Sequence, residues 1–179
     1  EWSTKPLPLK DTPSRKPATG ELAQAWLVHD GESLHVAVRV PVSTTKGLAS
    51  ATGDWGQIDG AEICLREIGV TAAGKRAPTM ILQGFPNGKL LGAADSEESS
   101  IREALALARL SRFSATVGKG FWRGEWTIPI AGMGLAYEPG VRLQFNIGVR
   151  RTNPSDWVVL AGALGANHQL DNAAIIVLE

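Results

Sequence analysis

Hydrophobic and polar residues alternate with a period of two through most of this chain, and the breaks between the alternating runs carry turn chemistry of their own. Residues 24–28 and 34–40 flank His29-Asp30-Gly31-Glu32-Ser33. Asp-Gly between two apolar runs predicts a hairpin. In the second run Leu34, Val36, Val38 and Val40 share one face, opposite His35, Ala37 and Arg39. That is the pattern of an antiparallel strand with one buried side.

Pro41 closes this strand, a Ser/Thr/Gly-rich loop runs to Gly53, and residues 61–68 read as the next strand. Residues 79–83 and 89–91 flank Phe85-Pro86-Asn87-Gly88, a turn by its Asn-Gly chemistry. Residues 113–117 and 121–130 form a second hairpin through Gly118-Lys119-Gly120, and the shared parity of Trp122, Trp126, Ile128 and Ile130 places them in the core. The cleanest alternation spans residues 141–150, with Val141, Leu143, Phe145, Ile147 and Val149 inward; residues 157–160 and 174–178 complete the strands.

The period becomes helical over residues 95–110, where Ser96 is a cap, Glu97 and Glu98 suit the positive end, and Ile101, Ala104, Leu105 and Ala108 share a face. A short turn of helix is expected over residues 131–135. Residues 1–20 hold four of the ten prolines and no apolar period, so they form an extended lead-in, laid over the domain or linking it to another. Many short strands, frequent turns and one helix predict a mainly all-β fold over residues 21–179, an antiparallel β-sandwich with one short helix insertion.

Lys+Arg and Asp+Glu number 18 each, giving a formal net charge of zero. With no basic surplus to hold a phosphate backbone, nucleic acid is not expected as a partner. No run approaches the roughly 20 apolar residues of a membrane span, so a membrane is not expected either. The lone cysteine, Cys64, lies between Ile63 and Leu65 and reads as a small core residue. A chain that begins at Glu1 without Met or signal sequence points to a processed product or a module of a larger multidomain chain. Six tryptophans against four Phe and one Tyr stand out, because a broad indole face suits a sugar as well as a core.

Attention therefore falls on Asp54-Trp55-Gly56-Gln57-Ile58-Asp59-Gly60-Ala61-Glu62. Trp55 sits in a Gly-flanked loop without a core pattern, so it is either a lid on the core or a platform for a ligand, and Glu62 begins an apolar strand. No His-Glu-x-x-His, paired-Cys motif, Walker loop or Gly-x-Ser-x-Gly elbow is present. Asp54, Asp59 and Glu62 lack the second marked acidic cluster of a glycosidase, and nothing local predicts a raised carboxyl pKa, so no enzymatic activity is expected. His29, at a hairpin end, His35, on a solvent side, and His168 are scattered, and no metal ligand set is assigned. Loop Asp and carbonyl oxygens leave a structural calcium open. Met80 and Met133 with the histidines are the residues a haem would need, although both methionines occupy core-type positions.

Taken in order, Leu34-His35-Val36-Ala37-Val38-Arg39-Val40, Asp59-Gly60-Ala61-Glu62-Ile63, Gly124-Glu125-Trp126-Thr127-Ile128-Pro129-Ile130, Phe145-Asn146-Ile147-Gly148-Val149-Arg150-Arg151 and the ending Ala174-Ile175-Ile176-Val177-Leu178-Glu179 resemble family 9 carbohydrate-binding modules. The resemblance implies a β-sandwich that binds sugars without cleaving them. It also implies attachment to a glycoside hydrolase or another secreted protein, and hence a secreted, periplasmic or cell-surface location. In such modules two tryptophans clamp a glycan end while a glutamate, an asparagine and an arginine bond its hydroxyls. By position Trp55 matches the first tryptophan, Glu62 the glutamate (with one extra residue between them), and Asn167 of Gly165-Ala166-Asn167-His168-Gln169 the asparagine. His168 stands where the second tryptophan is expected, and only Gln83 lies near the arginine's place. Trp157 is either a replacement platform or a residue packed inward. The expected partner is an oligo- or polysaccharide, bound by Trp55, Glu62, Gln83, Asn167, His168 and Trp157. The alternatives are a structural or protein-interaction sandwich that has lost sugar binding, and a haem-binding relative.

Overall fold

The first hairpin forms in the register its alternation requires. β2 (Ala23–His29) pairs antiparallel with β3 (Ser33–Pro41), Ala25 opposite Val38 and Leu27 opposite Val36. Gly31 turns the chain at φ 90°, and Asp30 Oδ1 accepts from the backbone N–H groups of Glu32 and Ser33 at 2.9 and 2.8 Å. The computed structural model describes residues 5–10, 20–69, 74–95, 97–134, 138–160 and 166–179. Within the lead-in, β1 (Leu7–Leu9) lies along β2 with Leu9 fully buried, so this stretch is part of the sandwich; residues 1–4 and 11–19 lie outside the described residues.

β3 also pairs with β8 (Phe121–Pro129), which pairs with β7 (Arg112–Gly118), giving a five-stranded sheet of order β1-β2-β3-β8-β7. The second sheet contains β4 (Gly60–Glu67), β5 (Met80–Gly84), β6 (Leu90–Ala93), β9 (Arg142–Thr152) and β10 (Ser155–Val159), in the order β10-β9-β4-β5-β6. β11 (Ala174–Val177) pairs with the first half of β9, whose second half pairs with β10. Every one of these pairings is antiparallel. Val36, Val38, Trp122 and Trp126 from the first sheet share one core with Ile63, Leu65, Leu82, Phe145 and Ile147 from the second. The β-sandwich with one helix is thus as the alternation predicts.

The helix differs in extent and in face. α1 (Ile101–Leu110) starts six residues later than the stretch beginning at residue 95, and its cap is Ser100, whose Oγ accepts from Glu103 N–H at 3.4 Å. Ser96 and Leu135 lie outside the described residues. Ala104 and Leu107 are buried, with Ala108 packed beside the core, whereas Ile101 and Leu105 are 49% and 41% exposed. The cause is contact with the sheet at Gly92, where an added Cβ would lie 2.4 Å from the Ala104 backbone. Ala104 must therefore face the strand, and helical periodicity carries Leu107 and Ala108 with it. No helix among the described residues is long and apolar enough to cross a membrane.

The outer face of the second sheet is covered too. Residues 166–173 cross it: Leu170 packs on Cys64 and Ile81, and Asp171 and Glu98 meet the buried Arg66 at 3.3 and 2.7 Å.

Candidate functional site

Where that cover reaches the head of β4, a group of polar side chains lies beneath it. The strand register sets Glu62 beside Gln83 of β5 and Gly148 of β9. Glu62 is only 2% exposed, and its carboxyl group is engaged on both oxygens. Gln83 Nε2 donates to Oε2 at 2.8 Å, Asn167 Nδ2 donates to Oε1 at 3.3 Å, and the Cys64 thiol lies 3.7 Å from Oε1. Asn167 Nδ2 also donates to the Glu62 backbone carbonyl at 3.0 Å, which ties the loop to the strand. The loop can come this close because residue 148 is glycine: a Cβ there would lie 2.9 Å from Asn167 Cγ.

Burial first, then the negative charge of Asp95, raise the Glu62 carboxyl pKa to about 7, against the opposing hydrogen bonds of Gln83, Asn167 and Cys64. This corrects the expectation that no carboxyl group here is raised. The cover that desolvates Glu62 includes a residue 105 positions away in the chain, so the strand's own sequence does not reveal it. Burial and the adjacent Glu62 push the Cys64 thiol well above its usual range, which leaves it the inert core residue expected.

A hollow of about 390 Å³ opens beside this group. That volume lies within the roughly 300–1,000 Å³ of small-ligand sites. Its floor is Glu62, Asn167 and Gly148, its walls include Trp55 and Trp157, and Asp95 and His168 border it. The two indoles meet edge to face, centroids 5.3 Å apart and planes at 76°. On its other side Trp55 meets Phe85 at 6.4 Å and 77°. Trp55 thus closes over Phe85 and lines the hollow at once. Its loop is held by Arg150 Nε, which donates to Gly56 O at 3.0 Å, and by the buried Asp59 carboxylate, which accepts from the backbone N–H and hydroxyl of Thr152.

Trp157 does not pack inward. Alternation along β10 sends Val158 into the core and leaves Trp157, opposite Arg150, on the outer face, with the Arg150 guanidinium 5.4 Å from its ring centroid. His168 Nδ1 lies 4.0 Å from Asp95 Oδ2. Gln83, 4% exposed, holds Glu62 from behind and is not part of the lining. The structure therefore gathers Trp55, Glu62, Asn167, His168 and Trp157 around one hollow. It adds Asp95, Gly148 and Val159, which carry no functional signal in the sequence. Pairing the alternations of β4 and β9 would have found Gly148; Asp95 looks locally like a helix start, and Val159 like any core residue. Gly165 lies outside the described residues.

The remaining candidates are engaged elsewhere. Among the described residues no group of three or more His, Cys, Asp or Glu is placed to hold a metal ion. His35 Nε2 bonds Asp30 Oδ2 at 2.9 Å, and this bond is the main reason the Asp30 carboxyl lies well below the ordinary range. His29 Nε2 accepts from the Glu179 backbone at 3.4 Å. Met80 and Met133 line another hollow beside α1, which has no histidine in its described lining.

No family model and no curated protein matches the sequence. The structure is similar to two solved structures of a family 9 carbohydrate-binding module from Caldicellulosiruptor kristjanssonii. The one in complex with cellotriose has a TM-score of 0.60 and 19% identity, over 90% of this chain and 77% of that one. The one in complex with glucose has a TM-score of 0.61 and 18% identity, over 95% and 83%. Two antiparallel sheets in this order, superposable over nine-tenths of the chain, give this protein the β-sandwich fold of family 9 carbohydrate-binding modules.

Proposed function

We propose that this protein is a non-catalytic carbohydrate-binding module that takes the end of an oligo- or polysaccharide into the hollow beside Glu62. The observation that carries this reading is the convergence of Trp55 and Trp157 on a hollow whose floor is a buried carboxyl–amide group. A sugar offers a C–H face to an indole and a rim of hydroxyl groups to carboxyl and amide oxygens. Rings that touch at 5.3 Å leave no gap for a sugar between them, so the tryptophans form a corner: the sugar stacks on one face and abuts the other. The Asp95–His168 pair that also borders the hollow supports a terminal unit over a chain running through. Glu62 is 2% exposed and held on both oxygens, so it orients a ligand and is not free to reach a glycosidic oxygen, which supports binding over hydrolysis. The similar modules solved with glucose and cellotriose support a glucose-type ligand. On the family likeness we place the module in a secreted, periplasmic or cell-surface multidomain protein.

Isothermal titration with glucose, cellotriose and a panel of oligosaccharides tests the reading. Wild-type binding that Trp157→Ala weakens about tenfold or more, about 1.4 kcal/mol, with an unchanged unfolding midpoint, supports it. No binding to any member of the panel contradicts it. One observation favours a structural module instead: the Glu62 hydrogen bonds are complete without a ligand, as they would be if residues 166–173 only sealed the sheet. In that case no sugar binds and Trp157→Ala acts on stability alone.

A further inference from the structure

The hollow has a charge character that a neutral sugar does not use. Its described lining contains two carboxyl groups, Glu62 and Asp95, and no Lys or Arg; the one basic side chain is the His168 imidazole, 4.0 Å from Asp95. Arg150 is turned behind Trp157, its guanidinium spent on Gly56 O, Asp156 O and Ser155 Oγ. The floor is short of donors as well. Gln83 Nε2 and Asn167 Nδ2 both point at Glu62. Asn167 is 8% exposed and its Oδ1 has no donor. The amide cannot turn to relieve this, because Nδ2 faces three acceptors: Glu62 O, Glu62 Oε1 and Cys64 Sγ. The two indoles add π-faces, which attract cations. Carboxyl groups and aromatic faces thus line one space with no fixed cation among the described residues, above a buried amide oxygen that lacks a donor.

Resting on the sugar-binding reading above, we propose that this hollow selects a sugar unit bearing a protonated amine, a deacetylated hexosamine at a glycan end, with its ammonium group set against the Asp95 carboxylate, beside the Glu62 carboxyl group. An ammonium group presents three donors and a charge where a hydroxyl presents one donor. N-acetylation removes the charge and enlarges the substituent, so the acetylated sugar loses the advantage.

Titration of the whole protein with glucosamine, glucose, N-acetylglucosamine and tetramethylammonium at low ionic strength, followed by tryptophan fluorescence, tests this. Glucosamine is expected to bind about tenfold or more tightly than glucose or N-acetylglucosamine. That advantage shrinks as salt is added, and Asp95→Asn lowers the glucosamine-to-glucose ratio. Equal binding of glucose and glucosamine, or a ratio unmoved by both Asp95→Asn and Glu62→Gln, overturns the amine preference and leaves the sugar-binding module standing. Competition by tetramethylammonium as strong as by glucosamine also overturns it, since the site would then hold a cation without recognising the ring. No binding by any of the three sugars overturns the amine preference, and no binding across the oligosaccharide panel as well removes both readings together.

Discussion

Both sheets are antiparallel, yet they bury different numbers of faces. On β8, Trp122, Trp126 and Ile128 are buried while Arg123 and Glu125 are exposed; on β4, all of residues 60–66 are buried. The outer face of the first sheet is solvated, and its charges make surface contacts: Arg39 reaches Glu21 at 2.9 Å, and Arg39 and Arg123 lie over Phe121 at 4.8 and 5.0 Å. Water can replace each of these at little cost. The outer face of the second sheet is roofed by residues 166–173, so each polar side chain there needs a partner inside the protein. Arg66 finds Gln144 at 2.8 Å and Glu98 at 2.7 Å; Glu62 finds Gln83 and Asn167. Polarity on the first sheet marks the surface, and polarity on the second marks side chains paired beneath a cover.

Substitutions sharpen this contrast, and the largest effect is expected in the shared core. Trp126→Ala, at a site 1% exposed, should cost about 3–5 kcal/mol in denaturant unfolding; a loss under about 1 kcal/mol would mean that the sheets do not share a packed core. Next comes the pH dependence of the second sheet's buried acid. Between the ordinary glutamate value of 4.5 and the folded value of about 7, the unfolded chain ionises Glu62 while the folded chain keeps its proton. The stability from this group is therefore full below pH 4.5 and is lost as pH rises through about 7, a change of about 3 kcal/mol. Unfolding curves from pH 4 to 8 should show this fall, and Glu62→Gln should flatten it. Gly148→Ala drives a Cβ into Asn167, 2.9 Å from its Cγ, and should cost about 1–3 kcal/mol while lifting the loop from Glu62 and weakening sugar binding. Arg123→Ala, on the solvated face, should stay within about 0.5 kcal/mol. A larger cost there than at Gly148 would reverse the contrast.

The same difference explains what could be read from the sequence. On singly buried strands, alternation reports the inward face directly, and Leu34, Val36, Val38, Val40, Trp122 and Trp126 are where it puts them. The Asp30-Gly31 and Asn87-Gly88 turns carry their own signals, each with a positive-φ glycine. The doubly buried β4 carries no such report, although β9 beside it still alternates through Leu143, Phe145, Ile147 and Val149. The raised Glu62 carboxyl depends on a loop that folds back from the far end of the chain, and the outward aim of Trp157 depends on its register against Arg150. The Asp95 contribution was hidden because the helix begins at Ile101, after that residue has already turned toward the hollow. Trp55 and Glu62 stand out through their own loop and strand, and Asn167 through the family resemblance; that Trp157 meets Trp55 edge to face while His168 lies beside Asp95 depends on contacts between distant segments, which spacing does not carry.

Heteronuclear NMR of the indole N–H groups tests the central claim most directly, because two tryptophans, Trp55 and Trp157, line the hollow and two, Trp122 and Trp126, lie in the core. Titration with cellotriose or glucosamine should shift the Trp55 and Trp157 signals and leave those of Trp122 and Trp126, buried between the sheets, in place. Shifts confined to other tryptophans, or none at sugar concentrations that saturate binding, would contradict it.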